Sequence, residues 1–556
     1  MSTSVDPEQM QGLVVLLERE LDTVVTPRDA ADFRELIAEA SKRTGTARMR
    51  ALRRILSDGR VQRWVHKHAH RPPSRDVYKA REGDRPARFL MAECPAAVPV
   101  GETFSLDVSI GPHSGTAEQV RPFAVPPGGA EVELTVQTSP RRRVQPSRSN
   151  VASMFVPDEQ VAVTTKIELL ATAEGICDLI IRAYVGGTLV QSLSIDVHVR
   201  ADGPVTGTAR QQAAIAAFVH DAQGLALEIA TDDTGYFLRV FSGHAEKREG
   251  RCRLDQSLHG FVLGELGKLA QANNARADAS AQFRQTANLG RRLWDHLVPD
   301  ELRRDLLDAL GRTDTLTVLG DSQEFPWELL CPEVSDDSPF IVQRIPLMRV
   351  AGAVLPAGRL SVGRAAYVLP SNPPTNAEAE LAAVRNVLKH CSQNLGTYRT
   401  YKPLQSLVND KRTYDLLHIA AHNEKSTDAW DRIPLADLGF TPYDVNENKD
   451  LANTGRPLVF FNACNTSGSP INTQKDSWAG AFLQAGAGAF VGTNWAVRSS
   501  TASRFAEAFY EALIAPSATL GTASLAARSA TKDGHDPTWL AYAVYGSAQS
   551  KLTESS

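Results

Sequence analysis

Two short apolar runs constrain this 556-residue chain more than anything else in it. Tyr414-Asp-Leu-Leu-His-Ile-Ala-Ala-His422 ends in a histidine, and Pro457-Leu-Val-Phe-Phe-Asn-Ala-Cys464 ends in a cysteine. Continuous apolar segments bounded by polar loops are the pattern of buried strands in a parallel sheet. In such sheets chemistry collects just beyond the carboxyl ends of neighbouring strands. If these two strands are neighbours, His422 and Cys464 emerge side by side. A thiol next to an imidazole is the minimum equipment of a cysteine nucleophile, because the base leaves the sulfur as thiolate. Strand parity puts His418 on the same face as His422. His422 is the better candidate because the run ends there, before the polar Asn-Glu-Lys-Ser, whereas His418 between Leu417 and Ile419 reads as a satisfied core histidine.

The length exceeds what one core can hold and implies several domains. Residues 1–70 read as an α-helical bundle, with Thr26-Pro27 as a cap and first helical residue. Residues 71–87 form a linker within a stretch, Lys42 to Arg88, where cations outnumber anions. His66, His68 and His70 there match no metal-ligand spacing and read as helix-end residues. Residues 88–200 alternate apolar and polar residues in about seven segments, the signature of an Ig-like β-sandwich. Within it Ser139-Pro-Arg-Arg-Arg-Val-Gln-Pro-Ser-Arg-Ser149 reads as an exposed, protease-accessible loop.

Residues 201–211 read as a second linker, 212–350 as one lobe and 351–556 as another. In the last, strands Ala365 to Leu369 and Tyr398 to Tyr401 and the two apolar runs alternate with helices Ala377 to Lys389, Leu404 to Val408 and Trp478 to Ala485. That alternation predicts a parallel sheet covered on both faces. A further helix is expected over Leu258 to Ala272.

Composition excludes several classes. A net charge of -4, with 42% apolar and 22% charged residues, gives no polyanion- or membrane-seeking balance. The start of the chain has no basic-then-apolar leader and no run is long enough to span a bilayer, so a cytoplasmic location is expected. The six cysteines (94, 177, 252, 331, 391, 464) form no CxxC pair. Five of them read as reduced, buried small hydrophobes, and no metal or other cofactor is expected. Phosphate-loop, dinucleotide and HExxH patterns are absent.

With the pieces in order, the C-terminal half resembles the CHAT domain, a caspase-like, separase-related family of cysteine peptidases. The matching segments are Phe325-Pro-Trp-Glu-Leu-Leu330, the Glu378/Glu380 helix start, the two runs ending at His422 and Cys464, Ala481 to Trp495, and Thr538 to Gly546. The resemblance implies a His422/Cys464 dyad and a degenerate companion lobe at 212–350. It also implies an oxyanion hole from the backbone N–H groups of Cys464 and Asn423, the latter standing where relatives usually carry Gly. Asn462 lies where relatives that cleave after basic residues carry an acid. Asp476, Trp495 and Arg498 are further candidates for the substrate pocket, Asp476 doubling as a helix N-cap. Loops 424–456 and 465–477 are expected to form a regulated rim.

A protease loose in the cytosol must be held inactive, so ordering of these loops by a trigger is expected, and the resemblance implies a role in immune or conflict systems. The expected substrate is a partner protein in a bacterial defence or conflict system, for example a gasdermin-like effector or the chain itself, with the N-terminal helices recruiting the protease to a complex. The alternative is a catalytically silent scaffold. A nucleic-acid role for the basic 42–88 stretch predicts steep salt dependence and is the weaker reading.

Overall fold

In the computed structural model, the described residues are 26–42, 88–112, 129–157, 161–214, 224–232, 235–242, 248–253, 279–320, 325–332, 340–351, 357–409, 414–425, 431–446, 456–463, 477–533 and 536–553, with a few positions before residue 26 and at 51–55. The chain divides into two compact units, 1–220 and 221–556.

In the first unit helix Pro27–Ser41 is described whole. Thr26 Oγ1 accepts the Asp29 amide N–H and Pro27 occupies the first turn, as the sequence suggests. Ala30, Phe33, Ile37 and Ala40 form its buried stripe. Val14, Leu17, Leu21, Leu52 and Ile55 are helical and buried. The helix expected at 61–70 and the linker 71–87 lie outside the described residues.

The rest of this unit is two five-stranded sheets. One runs, in spatial order, Ala209–Ala214, Arg88–Cys94, Thr103–Pro112, Val163–Ala171 and Val144–Pro146. The other runs Ala97–Pro99, Thr188–Arg200, Gly175–Val185, Ala130–Ser139 and Val151–Val156. Alternate residues of both, among them Leu106, Val108, Leu134, Leu179 and Val197, share one core, which makes a sandwich.

Two expectations are corrected here. Residues 209–214, read as the end of a linker up to 211 and the start of the next lobe from 212, form a strand antiparallel to Arg88–Cys94. That polar segment is an edge strand with no apolar run to announce it. The Arg141-Arg-Arg143 segment is tied down rather than loose: Val144 is buried, Thr172 donates to the carbonyls of Arg142 and Arg143, and the Arg143 guanidinium donates to the Ile176 carbonyl. Self-cleavage there would first require breaking these bonds.

The second unit is built on one 11-stranded sheet. Its strands are β1 (Gly224–Asp232), β2 (Gly235–Ser242), β3 (Arg248–Arg253), β4 (Thr315–Gly320), β5 (Leu347–Val350), β6 (Arg364–Val368), β7 (Gln393–Tyr398), β8 (Leu416–Ala420), β9 (Leu458–Asn462), β10 (Ala489–Thr493) and β11 (Tyr542–Tyr545). Their spatial order is β3-β2-β1-β4-β5-β11-β10-β9-β8-β6-β7. The companion lobe and the C-terminal lobe thus share a sheet, joined through β11.

The sheet is parallel-rich but mixed: β11 runs parallel to β5 but antiparallel to β10, and β1, β2 and β3 form an antiparallel meander. Short apolar runs look alike in either direction, so strand sense was not legible. The expected strand at 398–401 lies earlier, at β7, because β7 is a polar edge strand that runs alongside β6 alone. The segment expected to form the 258–272 helix lies outside the described residues.

Helices cover both faces of the C-terminal half. α3 (Ala377–Leu388), α6 (Ser499–Leu513) and α7 (Leu520–Thr531) pack with Leu416, Ala420, Leu458 and Phe460 on one face. α4 (Tyr401–Asn409) and α5 (Trp478–Ala485) pack with Leu417, Ile419, Ala421, Val459, Phe461 and Ala463 on the other. That double burial is why β8 and β9 read as unbroken apolar runs. α5 stops at Gly486, whose φ of +107° suits glycine, and the chain turns straight into β10.

Candidate active site at the carboxyl ends of β8, β9 and β10

β8 and β9 are parallel neighbours in a register that pairs Leu416 with Leu458 and Ala420 with Asn462. The ladder continues one step, with the Ala421 amide donating to the Asn462 carbonyl. β10 lies on the other side of β9, also parallel, pairing Phe460 with Val491. Three strands therefore end together, in His422-Asn423, in Ala463 and in Asn494-Trp495. His422 is exposed there, the first residue of the run to reach the surface. Cys464, the next residue after Ala463, lies outside the described residues, as does Asp476.

His418 sits where the sequence argument put it. It is wholly buried, Nε2 lies 2.8 Å from Glu380 Oε1, and Nδ1 lies 3.1 Å from the Tyr510 hydroxyl. Its ring stacks on Phe460. Burial first, then the nearby Tyr367 and Glu380, push the Tyr510 phenol well above its ordinary range, so Tyr510 stays protonated. Glu380 comes from the α3 start singled out in the sequence. Removing the imidazole leaves this carboxyl buried without its partner. We expect His418→Ala to lower stability by about 2–4 kcal/mol in denaturant unfolding while leaving thiol chemistry at position 464 intact.

Asn423 carries no left-handed backbone strain; among the described residues other than glycine, positive φ occurs at Arg456 and Ser517. Its Oδ1 accepts the indole N–H of buried Trp478 at 3.1 Å, so its side chain is anchored against α5. The N-cap of α5 is Ser477, whose Oγ accepts the Gly480 amide N–H, rather than Asp476.

Asn462 is buried. Its Oδ1 accepts the Tyr542 hydroxyl at 2.8 Å, and its Nδ2 has no hydrogen-bond partner. Trp495 is corrected from pocket wall to core: it is 3% exposed and packs among the companion-lobe hydrophobics with Val497 beside it. Arg498 is exposed and precedes α6, its backbone N–H donating to Thr538 Oγ1. Part of the expected rim is folded structure: hairpin Asp431–Pro434/Gly439–Phe440 and helix Pro442–Asn446 bury Ile433, Phe440 and Val445, and Phe440 stacks on Trp478.

A buried polar cluster lies behind these strand ends, and the sequence reading assigned it no role. Glu328 and Arg349 are both fully buried and bond bidentately, at 2.9 and 2.5 Å. Glu328 Oε2 also accepts the Asn494 side-chain amide at 2.9 Å. Burial alone would lower the Arg349 pKa, but Glu328 and Tyr545 outweigh it and hold it above the usual value. Nearby Arg528 donates to the carbonyls of Trp539 and Tyr542. Burial brings its pKa down to about 10, against the pull of Glu328 and with the push of Arg349. Gly290 on α1 (Ala279–Leu297) seats the turn that carries Glu328, since a Cβ there would lie 2.1 Å from the Leu329 carbonyl oxygen. The turn residue Glu in an apolar Phe-Pro-Trp-Glu-Leu-Leu was the available signal.

The remaining cysteines are poor nucleophiles. Burial raises the thiols of Cys94 and Cys177 to about 12 and Cys331 to about 11, and raises Cys252 and Cys391 as well. At pH 8 a thiol of pKa 12 is thiolate in ~10⁻⁴ of molecules. We expect iodoacetamide to modify about one thiol per native chain quickly, and Cys464→Ala to remove that fast phase; mass spectrometry of the alkylated chain checks it.

Among the described residues no group of three or more His, Cys, Asp or Glu could hold a metal ion, and no helix is long and apolar enough to cross a membrane.

The family model described as "CHAT domain" matches residues 287–547. No curated protein matches this chain. Among solved structures, the Saccharomyces cerevisiae separase in its complex with securin is 10% identical, with a TM-score of 0.38, covering 59% of this chain and 30% of that one. The Arg-specific cysteine proteinase gingipain R is 12% identical, with a TM-score of 0.35, covering 48% of this chain and 67% of that one. The CARDB domain of a Pyrococcus furiosus protein is 14% identical, with a TM-score of 0.14, covering 21% of this chain and 99% of that one. This chain therefore spans less than a third of the separase chain.

Proposed function

Residues 287–547 match the CHAT-domain family model, and on that premise we propose that this chain is a caspase-like cysteine endopeptidase with Cys464 as nucleophile and His422 as general base and acid. The observation that carries the reading is the parallel β8–β9 register, which holds a constant offset of 42 positions. His422 and Cys464 are separated by that same offset. Along both strands even-numbered residues face the α6 side and odd-numbered residues the α5 side. The period-two alternation of strands favours the same face for both groups.

In this reading the Cys464 proton passes to His422, and the thiolate adds to the scissile carbonyl. The imidazolium then protonates the departing amine, and water hydrolyses the thioester with His422 taking its proton. The backbone N–H groups of Cys464 and Asn423 would receive the oxyanion. Asn462 is neutral where relatives that cleave after basic residues carry an acid, which weakens a basic preference here. Arg498 and Asp476 remain candidates for the rim of that pocket. We further propose that a trigger releases activity against a partner protein, gasdermin-like or otherwise, in a bacterial defence or conflict system, with the N-terminal segment recruiting the chain.

Proteome-wide mapping of new N-termini after induction of wild type and of Cys464→Ala tests this. We expect a small set of cleavages present with wild type and absent with the variant. Identical sets would sink the peptidase reading in favour of a scaffold.

A further inference from the structure

We propose that Thr493 is a positioning residue for the peptide unit that joins Ala463 to Cys464. The inference rests on the peptidase reading above and extends it to a residue which that reading does not use. Thr493 is the last residue of β10, fully buried, and its hydroxyl donates to the Ala463 carbonyl at 2.6 Å. That carbonyl belongs to the same peptide plane as the Cys464 N–H. A trans peptide is rigid, with C=O and N–H pointing in opposite directions, so holding the oxygen fixes the direction of the N–H. A donor preorganised toward a developing oxyanion is worth most when it cannot swing away. β9 ends at Asn462, one residue before this plane.

The anchor is itself held. Asn494, the next residue, donates its backbone N–H to the Ala541 carbonyl and its side-chain amide to Glu328. Thr493 and Asn494 thus connect the peptide plane before the cysteine to the Glu328–Arg349 pair, and through it to the companion lobe. The companion lobe has a job in this arrangement: it fixes the end of β10.

The test uses two reagents that attack the same sulfur. Acylation by p-nitrophenyl acetate passes through an oxyanion, as the thiolate adds to the ester carbonyl, p-nitrophenolate leaves and S-acetyl-cysteine forms. Alkylation by iodoacetamide is a displacement at carbon with no oxyanion, so it reports the nucleophile alone. In the full-length chain, Thr493→Val keeps the shape and removes the hydroxyl. We expect it to slow the Cys464-dependent acylation by about 10–100-fold, somewhat less than the loss of a whole oxyanion donor. Its alkylation rate should stay within about twofold, which also shows that the site has kept its fold, and Thr493→Ser should restore acylation. Wild-type acylation in Thr493→Val, or an equal fall in both rates, would overturn the assignment while leaving the peptidase reading in place. Equal acylation of wild type and Cys464→Ala would overturn both.

Discussion

We expect His422→Ala to lower kcat/KM on a substrate found by N-terminal mapping by about 10²–10⁴-fold, the range set by one general acid–base group, and Cys464→Ala to remove turnover entirely. The two losses are not additive. Without a nucleophile the imidazole has no proton to move, so the double variant is no worse than Cys464→Ala alone. His418→Ala is the contrasting control, since it changes stability through Glu380 and Tyr510 rather than the reacting atoms. If His418→Ala and His422→Ala exchanged these behaviours, with turnover lost in the former and kept in the latter, the dyad would be misassigned. Steady-state kinetics with all four variants at matched concentration decides it.

Glu328→Ala is expected to be the most destabilising single change outside the apolar core. It removes the carboxylate paired with the fully buried Arg349 guanidinium and one acceptor of the Asn494 side-chain amide. Breaking a buried pair in this way costs about 3–5 kcal/mol. Replacing both Glu328 and Arg349 with methionine should cost much less, because no orphaned charge remains and the volume is kept. Six of the chain's seven tryptophans lie in residues 221–556, so fluorescence-detected unfolding of the full-length chain reports mainly on this unit. A Glu328→Ala shift below about 1 kcal/mol would show that the pair is wet or dispensable. The same variant should slow p-nitrophenyl acetate acylation if the anchor at the end of β10 depends on the companion lobe.

Much of the second unit was readable because its strands are buried on both faces. β8, β9 and β10 must be apolar at consecutive positions, and that run is visible in one dimension. The same logic isolated His422, where polarity returns, and placed His418 in the core between two apolar neighbours. The first unit was readable by the opposite pattern: its strands alternate, and Leu106, Val108 and Ile110 are buried while Ser105, Asp107 and Ser109 are not. Edge strands carried neither signal. Ala209–Ala214 and β7 are polar, held by backbone hydrogen bonds that any sequence can make, and so they were missed or misplaced.

What the amino-acid order determined by itself was local and periodic: which segments become buried strands or amphipathic helices, where each run ends, and the 42-residue spacing between His422 and Cys464. The caps Thr26 and Ser477 and the stop at Gly486 belong with it, since each acts within one turn of its own helix. Only the tertiary structure decided that β11 turns against β10 and joins two lobes into one sheet. It also decided that Trp495 faces a core instead of a cleft, and that Glu328 meets Asn494, a residue 166 positions away. Those outcomes depend on long-range pairing and on the cost of leaving a buried charge or hydrogen-bonding group without a partner. A polar residue inside an apolar run announces that cost in the sequence, but its partner is named only when the chain closes on itself.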